Sequence, residues 1–356
     1  MAIMHRFNWL LLVSAFLFVI LTLVSCNQAP SFGPEETKMF GSQSARVQEV
    51  SFKSGDFNLK GDLRIPIDGE IHPAVVLVHG SGSATRDGAV YLEPLIEVFL
   101  RNGYAVFSWD KPGSGESTGE FEGGKTLTQR ANILEDGIKA LREHPGINTE
   151  GIGLWGISQA GWVMPMVIDR MDNPAFMIVV GGGGEDSVEQ MAYQVGQKVI
   201  CDGGTQEQAA LVEQYWPQWI KTTEYEEYRE AVEILMAIPS VQEYTGLNIT
   251  EENNWNPWPR DTDAFIDPME YIETTAIPVL IFYGELDKNV DPVQGATAYY
   301  EALEKAGNQH YRIEVIPGAG HVLTPVQTGC IGEYSGRDYV SQYLEILEEW
   351  LQQISG

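Results

Sequence analysis

The stretch at 152–162 restricts the possible folds of this chain more than any other. It runs from apolar residues through Gly156, Ser158 and Ala160 into a helical pattern, so it predicts a strand, a sharp turn and a helix. Small residues on both sides of Ser158 let the strand and helix backbones pass closely, with the serine strained and its hydroxyl exposed. Because this short pattern also occurs at ordinary strand-to-helix turns, its meaning depends on the rest of the chain.

Apolar runs alternate with amphipathic segments on both sides of this stretch. The continuous apolar runs 74–78 and 279–283 are typical of buried parallel strands, whereas 127–143 has the spacing of an amphipathic helix. The alternating segments 47–53 and 57–65 predict an antiparallel hairpin. Together these patterns predict an α/β fold in which a mostly parallel, eight-stranded sheet has helices on both faces.

The predicted organisation has five parts, which change in composition from one to the next. They are a signal peptide, a flexible tether, the first part of the core, a helical cap rich in aromatic residues, and the second part of the core, over 1–25, 26–46, 47–184, 185–275 and 276–356. The tether is predicted because its Pro, Gly, Ser and Gln residues show no apolar periodicity.

The N-terminus indicates targeting rather than fold. The apolar run 9–24 would form a helix of about 24 Å, shorter than the ~30 Å hydrocarbon core of a bilayer, which favours a signal peptide. It ends in Leu23–Val24–Ser25–Cys26, which resembles the lipobox of bacterial lipoproteins. That resemblance implies lipidation of Cys26 and an extracytoplasmic protein anchored to a membrane by lipid. An uncleaved N-terminal anchor is the alternative.

The charge and the cysteines set two further limits. The formal net charge of −28 argues against nucleic acid as a partner, since phosphates require clusters of Lys and Arg. It indicates a solvated acidic surface, although attraction of a cationic substrate is also compatible. Beyond Cys26, the chain has Cys201 and Cys330, which outside the cytoplasm could form a disulfide or remain two buried thiols.

Two loops could supply the partners that activate Ser158. A serine hydroxyl needs a base to take its proton, and the base needs an acid that orients it. His321 follows the predicted strand 311–316 in a glycine-containing loop, and Asp287 follows the strand 279–283. We predict Ser158, His321 and Asp287 as catalytic residues, with the alternative acids Asp291 and Glu285.

The reaction also requires hydrogen-bond donors directed at a developing oxyanion. The backbone N–H of Gln159, directly after the serine, is one candidate. Ser81 N–H is the other, because residues 79–82 follow the buried strand 74–78 and are small.

The order of these motifs resembles the α/β-hydrolase superfamily, and within it bacterial carboxylesterases close to the dienelactone-hydrolase and prolyl-oligopeptidase-like groups. The motifs are His79–Gly82, Asp110–Gly119, Gly156–Gly161, Gly284–Asp287 and Pro317–His321. The resemblance implies hydrolysis of a small-molecule ester through an acyl-enzyme, with no cofactor and no metal. We expect a structural role for Asp110–Gly119, because no step of this reaction requires it. A peptidase or amidase of the same fold and a non-catalytic binding lipoprotein are the alternatives.

The aromatic and methionine residues of the predicted cap allow two interpretations. Met191, Met236 and one of Trp216 and Trp219 could line an acyl pocket over Ser158. They could also form the small core of the cap itself.

Overall fold

The structure is a computed structural model that describes residues 29–88, 92–121, 125–171, 174–245, 257, 262–333 and 338–354. The predicted signal peptide and the predicted lipidation site Cys26 lie outside the described residues. Within the described ranges, no helix is both long and apolar enough to span a bilayer.

Nine strands form one sheet. They are β1 Ser31–Phe40, β2 Gln43–Ser54, β3 Phe57–Pro66, β4 His72–Val78, β5 Ala105–Trp109, β6 Ile147–Ile157, β7 Met177–Val180, β8 Val279–Gly284 and β9 Tyr311–Ile316. Their order is β1-β2-β3-β5-β4-β6-β7-β8-β9. The pairs β1–β2, β2–β3 and β3–β5 are antiparallel, and all the remaining pairs, from β5–β4 to β8–β9, are parallel. The predicted mostly parallel sheet is therefore confirmed.

The ninth strand, β1, corrects our prediction of a flexible tether over residues 26–46 and of an eight-stranded sheet. Ser31–Phe40 pairs antiparallel with β2, which itself begins at Gln43. Most residues of β1 are exposed, and its register shifts between Phe32 and Glu35. An edge strand is held by backbone hydrogen bonds on one side, so it needs no apolar alternation and carries none in its sequence.

Helices cover both faces of the sheet. They are α1 Glu93–Arg101, α2 Thr126–Arg142, α3 Ala160–Ile168, α4 Ser187–Cys201, α5 Gln206–Lys221, α6 Tyr225–Met236, α7 Pro239–Thr245, α8 Met269–Ile272, α9 Pro292–Ala306 and α10 Ser341–Ile354. Helices α2, α3, α8 and α9 contribute to the core on one face, and α1 and α10 to the core on the other. Val76 of β4 faces the first core and Val75 the second. Residues 74–78 of this strand are all apolar because neither side of the strand meets water.

The residues between β7 and β8 add a helical layer with its own small core. Helices α4 to α7 pack around a cluster that includes Val195, Trp216 and Leu235. Helix α4 begins with Asp186, whose carboxylate accepts hydrogen bonds from the N–H groups of Val188 and Glu189.

The C-terminal end of α4 is covalently attached to a later loop of the chain. Cys201, its last residue, forms a disulfide with Cys330, so the first of the two alternatives for these cysteines is the one observed. Next to Cys330, a Cβ added to Gly329 would lie 1.8 Å from the carbonyl oxygen of Leu286, which shows how closely this loop packs on the residue before Asp287.

Candidate active site

Ser158 occupies the turn between β6 and α3. Its φ is +56°, a left-handed conformation that residues other than glycine rarely adopt. A Cβ added to Gly156 would lie 2.5 Å from the Cβ of Ala160, and one added to Gly161 would lie 2.4 Å from the carbonyl carbon of Gly182. These close approaches explain why small residues flank the serine, and they hold Ser158 at the carboxyl end of β6.

Asp287 and His321 form a buried pair. Oδ2 of Asp287 lies 2.8 Å from Nδ1 of His321, and Oδ1 accepts hydrogen bonds from the N–H groups of Asn289 (2.7 Å) and Val290 (3.0 Å). An ionised carboxylate can only accept, so Nδ1 of His321 carries the proton and Nε2 is left with a lone pair. The arrangement leaves Nε2 able to take a proton from a neighbouring group.

His321 and Ser158 line the same cavity, whose volume is about 400 Å³. The β4 loop, residues 79–85, forms one side of it, and helix α4 contributes Gln190, Met191 and Gln194 to another. The cavity therefore brings the serine and the imidazole into one space at the carboxyl ends of the parallel strands.

Both candidate oxyanion donors border this cavity. Ser81 lies in the β4 loop, and a Cβ added to the preceding Gly80 would lie 3.1 Å from the Cβ of Ser158. Gln159 directly precedes α3, so its N–H belongs to the electropositive start of a helix. The structure thus brings Ser81 and Gln159 next to the serine that the sequence singled out.

The two alternative acids lie elsewhere. Oδ1 of Asp291 accepts hydrogen bonds from Val293 N–H and Gln294 N–H, so this residue caps α9. Oε2 of Glu285 accepts a hydrogen bond from the N–H of Gly318. Of the three carboxylates, Asp287 is the one paired with His321.

A second histidine near the cavity, His79, is held neutral. Its Nε2 lies 3.1 Å from the carbonyl oxygen of Trp109. Burial, followed by the charge of Lys111, lowers the pKa of His79 to about 4.

Sequence reasoning missed two cations next to the site, Lys111 and Arg130, and assigned no role to Asn289. Lys111 follows β5, whose neighbour β4 leads into the loop beside Ser158. Arg130 lies one turn from the buried residues Leu127 and Leu134 on the same face of α2. A charged residue on the apolar face of an amphipathic helix was the signal that could have identified Arg130.

Of the two interpretations of the aromatic residues in the predicted cap, the small core of the cap is the one observed for Trp216 and Trp219. Trp216 is 6% exposed and packs edge to face against Trp219 within the core of the helical layer. Of the two methionines, Met191 lines the cavity, whereas Met236 packs against that small core.

Across the described part of the chain, no group of three or more His, Cys, Asp and Glu side chains is arranged to hold a metal ion.

Comparison with known families gives one match over most of the chain. The family model described as X-Pro dipeptidyl-peptidase (S15 family) matches residues 36–322. A curated relative, thiohydrolase aneE of Aspergillus aculeatus, is 34% identical over 115 residues, which are 32% of this chain and 34% of that enzyme. The match therefore spans about a third of the relative's length.

Similar solved structures include esterases and a peptidase. The esterase Pf2001 of Pyrococcus furiosus has a TM-score of 0.55 and 18% identity, with 90% of this chain and 91% of that chain covered. Acetyl xylan esterase 1 from Thermoanaerobacterium has a TM-score of 0.54 and 14% identity, covering 92% and 89%. Proline iminopeptidase of Mycobacterium smegmatis has a TM-score of 0.53 and 13% identity, covering 86% and 98%. At such identities the likeness shows the fold alone.

Proposed function

We propose that this chain, which belongs to the X-Pro dipeptidyl-peptidase (S15) family of serine hydrolases with the α/β-hydrolase fold, hydrolyses carboxylic esters through an acyl-enzyme on Ser158. One observation carries the proposal. Ser158, whose backbone is strained, shares a cavity with His321, and Nδ1 of His321 is hydrogen-bonded to the buried carboxylate of Asp287.

Each residue has a defined role in the proposed reaction. Ser158 Oγ attacks the ester carbonyl carbon while Nε2 of His321 takes its proton, and Asp287 stabilises the resulting imidazolium. The N–H groups of Gln159 and Ser81 stabilise the oxyanion of the tetrahedral intermediate. The C–O bond to the alcohol then breaks, and the alcohol leaves with the proton held by His321. A water molecule, deprotonated by His321, releases the acid and regenerates Ser158.

The cavity walls favour a small, uncharged ester. Apart from the two histidines, the described lining residues that carry polar side chains are neutral serines and amides; no Asp or Glu is among them.

Peptide hydrolysis is the second candidate, and the match to an X-Pro dipeptidyl-peptidase family favours it. An enzyme that removes dipeptides from an N-terminus must accommodate the free α-ammonium group of its substrate. A buried ammonium group requires a carboxylate partner, and the described lining residues supply none. The partial match to a thiohydrolase makes thioesters a third substrate class worth testing.

A comparison of wild-type protein with Ser158→Ala tests these alternatives. Both proteins would be assayed with p-nitrophenyl acetate and butyrate, an acyl thioester, and an aminoacyl-prolyl p-nitroanilide. We expect wild-type protein to have its highest kcat/KM on the esters, and Ser158→Ala to lower turnover by up to about 10⁶-fold.

Three outcomes would contradict the proposal. Preferential turnover of the anilide would make the protein a peptidase, and undiminished activity of Ser158→Ala would remove the serine from the mechanism. Failure of a fluorophosphonate to label Ser158 would indicate a binding protein without an activated nucleophile.

We also propose that helices α4 to α7 cover the active site as a cap, and that Cys26 carries a lipid anchor that holds the enzyme outside the cytoplasm, on the periplasmic or cell-surface side of a bacterial membrane. Support for the cap comes from α4, whose residues Gln190, Met191 and Gln194 border the cavity. Support for the anchor comes from the sequence Leu23–Val24–Ser25–Cys26.

A further inference from the structure

Two buried cations lie beside the β4 loop. The side chains of Lys111 and Arg130 belong to residues that are 3% and 4% exposed, and neither forms an ion pair with a carboxylate of the described residues. Burying a charge without an opposite charge is unfavourable. Burial and the charge of Arg130 lower the pKa of Lys111 to about 7, which reflects that cost. The fold therefore buries two basic side chains here at an energetic cost, and the hydrogen-bond partners of these side chains indicate why.

Lys111 forms hydrogen bonds to backbone carbonyl groups of the β4 loop. Its Nζ donates hydrogen bonds to the carbonyl oxygens of Gly80 (2.7 Å) and Gly82 (2.5 Å). The carbonyl of Gly80 and the N–H of Ser81 belong to one planar trans peptide unit, in which the two groups point in opposite directions. Because the Gly80 carbonyl points at Lys111, the N–H of Ser81 points away from Lys111.

The opposite side of that peptide unit is the cavity side. Gly80 and Ser81 line the cavity, whereas Lys111 does not. Gly80 also lies against Ser158, since its added Cβ would be 3.7 Å from the serine Oγ. The hydrogen bond from Lys111 thus sets the direction of the N–H that the proposed mechanism uses.

Arg130 connects the same loop with the second donor. Its Nη2 donates a hydrogen bond to the carbonyl oxygen of His79, and its Nη1 donates one to Oε1 of Gln159. One guanidinium therefore bridges the β4 loop and the start of α3, which carry the two proposed oxyanion donors. The planar group has several donors in a fixed geometry, so it can hold both segments at a constant separation.

We infer that Lys111 and Arg130 are positioning residues that orient the backbone N–H groups of Ser81 and Gln159 toward the oxyanion, and that the guanidinium of Arg130 places positive charge behind them. This inference rests on the proposed function. Neither side chain lines the cavity, so both act through the loop and α3 rather than on the substrate. The hydrogen bonds of Lys111 and Arg130 are present in every state of the enzyme. The N–H groups that they orient stabilise the transition state more than the bound ester, because negative charge develops on the carbonyl oxygen only during the reaction.

The test compares Lys111→Met and Arg130→Met with wild-type protein. Each variant removes the hydrogen-bond donors and the charge while it retains an unbranched side chain. With a short p-nitrophenyl ester, we expect kcat to fall about 10²-fold in each variant, because the loss of one oxyanion donor has an effect of about that size. KM should change by less than about threefold, since the ground-state ester carries no full charge. Lys111→Arg, which keeps both donors and charge, should restore activity to within about tenfold of wild type.

Arg64→Met is the matched control. Arg64 is also a buried cation, and its Nη1 donates to Ser108 Oγ and to the carbonyl oxygen of Asp62. Its Nη2 donates to the carbonyl oxygen of Arg86, one residue after the β4 loop, and lies 3.5 Å from the carboxylate of Asp62. We expect this variant to lower the melting temperature while its kcat remains within about twofold of the wild-type value.

A transition-state analogue separates orientation from simple loss of structure. An alkyl boronic acid forms a tetrahedral adduct with a reactive serine, so its inhibition constant should rise in Lys111→Met and Arg130→Met by about the factor by which kcat falls. Variants that melt at a lower temperature but keep kcat, or that raise KM at constant kcat, would overturn the inference.

Labelling by a fluorophosphonate distinguishes failure of this inference from failure of the proposed function. If wild-type protein cleaves no ester but is labelled at Ser158, ester hydrolysis is wrong as a function. The inference is then decided by the labelling rate, which should fall about 10²-fold in the two methionine variants. Equal labelling rates would overturn it, and a wild-type protein that is not labelled at all would overturn both.

Discussion

Replacement of Asp287 by asparagine tests how far activity depends on the proton position in His321. Both carboxylate oxygens of Asp287 accept hydrogen bonds, Oδ1 from two backbone N–H groups and Oδ2 from Nδ1 of His321. An asparagine has one oxygen and one NH₂ group, so it can satisfy only one of these two sides as an acceptor. Its orientation decides the effect of the substitution.

The energies of the two orientations differ clearly. An NH₂ group facing the N–H groups of Asn289 and Val290 would leave both without an acceptor, at a cost of about 1–3 kcal/mol each. An NH₂ group facing His321 requires only that the neutral imidazole move its proton from Nδ1 to Nε2. We therefore expect the second orientation, with stability within about 1 kcal/mol of the wild-type value. With Nε2 protonated, His321 cannot take the proton of Ser158, and kcat should fall about 10⁴-fold, or about 5 kcal/mol in the activation free energy.

Steady-state kinetics with a short p-nitrophenyl ester and urea unfolding followed by circular dichroism would measure both effects. Asp291→Asn is the matched control, because Asp291 caps α9 and asparagine is an equally good N-cap. Glu285→Gln is a second control at the other alternative acid. We expect both controls to retain kcat within about threefold of wild type.

A kcat of Asp287→Asn within about tenfold of wild type, at unchanged stability, would refute this role of Asp287. This role would also be refuted if Asp291→Asn lost as much activity as Asp287→Asn, since the acid would then have been assigned to the wrong residue.

Two further predictions concern pH and location. Burial, followed by the charges of Glu189 and Asp291, raises the pKa of Glu185 to about 7, so the folded protein loses stability as pH rises from about 4.5 through 7. Allowing for partial solvent screening, Glu185→Gln should stabilise the protein by about 1 kcal/mol in urea unfolding at pH 8 and not at pH 4. An equal gain at both pH values would count against this cause. In bacterial cells, labelling with palmitate should be lost in Cys26→Ala and kept in Cys201→Ala; labelling that persists in Cys26→Ala would exclude the lipid anchor at that position.

Patterns that reflect burial allowed the central part of the structure to be predicted from sequence. The run 74–78 is apolar because both faces of β4 are covered, and Gly156 precedes Ser158 because the strand and helix nearly touch. These requirements involve residues that are close together in the chain, so a short segment of sequence is enough to recognise them. Asp287 and His321 could be identified because each follows a recognisable strand, in an order that fits one catalytic arrangement.

Features that depend on distant partners left weaker traces. Strand β1 is held mainly by backbone pairing, which any sequence can provide, and of its side chains only Phe32 and Phe40, eight residues apart, pack against the two cores. The proposed role of Lys111 depends on the backbone carbonyl groups of Gly80 and Gly82. Every residue has a backbone carbonyl group, so the sequence does not indicate which ones Lys111 binds. The pairing of Cys201 with Cys330 depends on how the helical layer packs against the loop after His321, and spacing in the chain does not reveal this.

The bond between Cys201 and Cys330 limits how the substrate can enter. Helix α4 is continuous with the core at its first turn, where Asp186 caps it, and is covalently attached again at its last residue. Because both ends of α4 are attached, the helix cannot move away from the core as a rigid body unless one attachment breaks. We therefore expect substrate access to Ser158 to depend less on movement of α4 than on rotation of Gln190, Met191 and Gln194, the side chains that this helix contributes to the cavity. Selection by size would then be built into the oxidised protein, and reduction of this one bond would relax it.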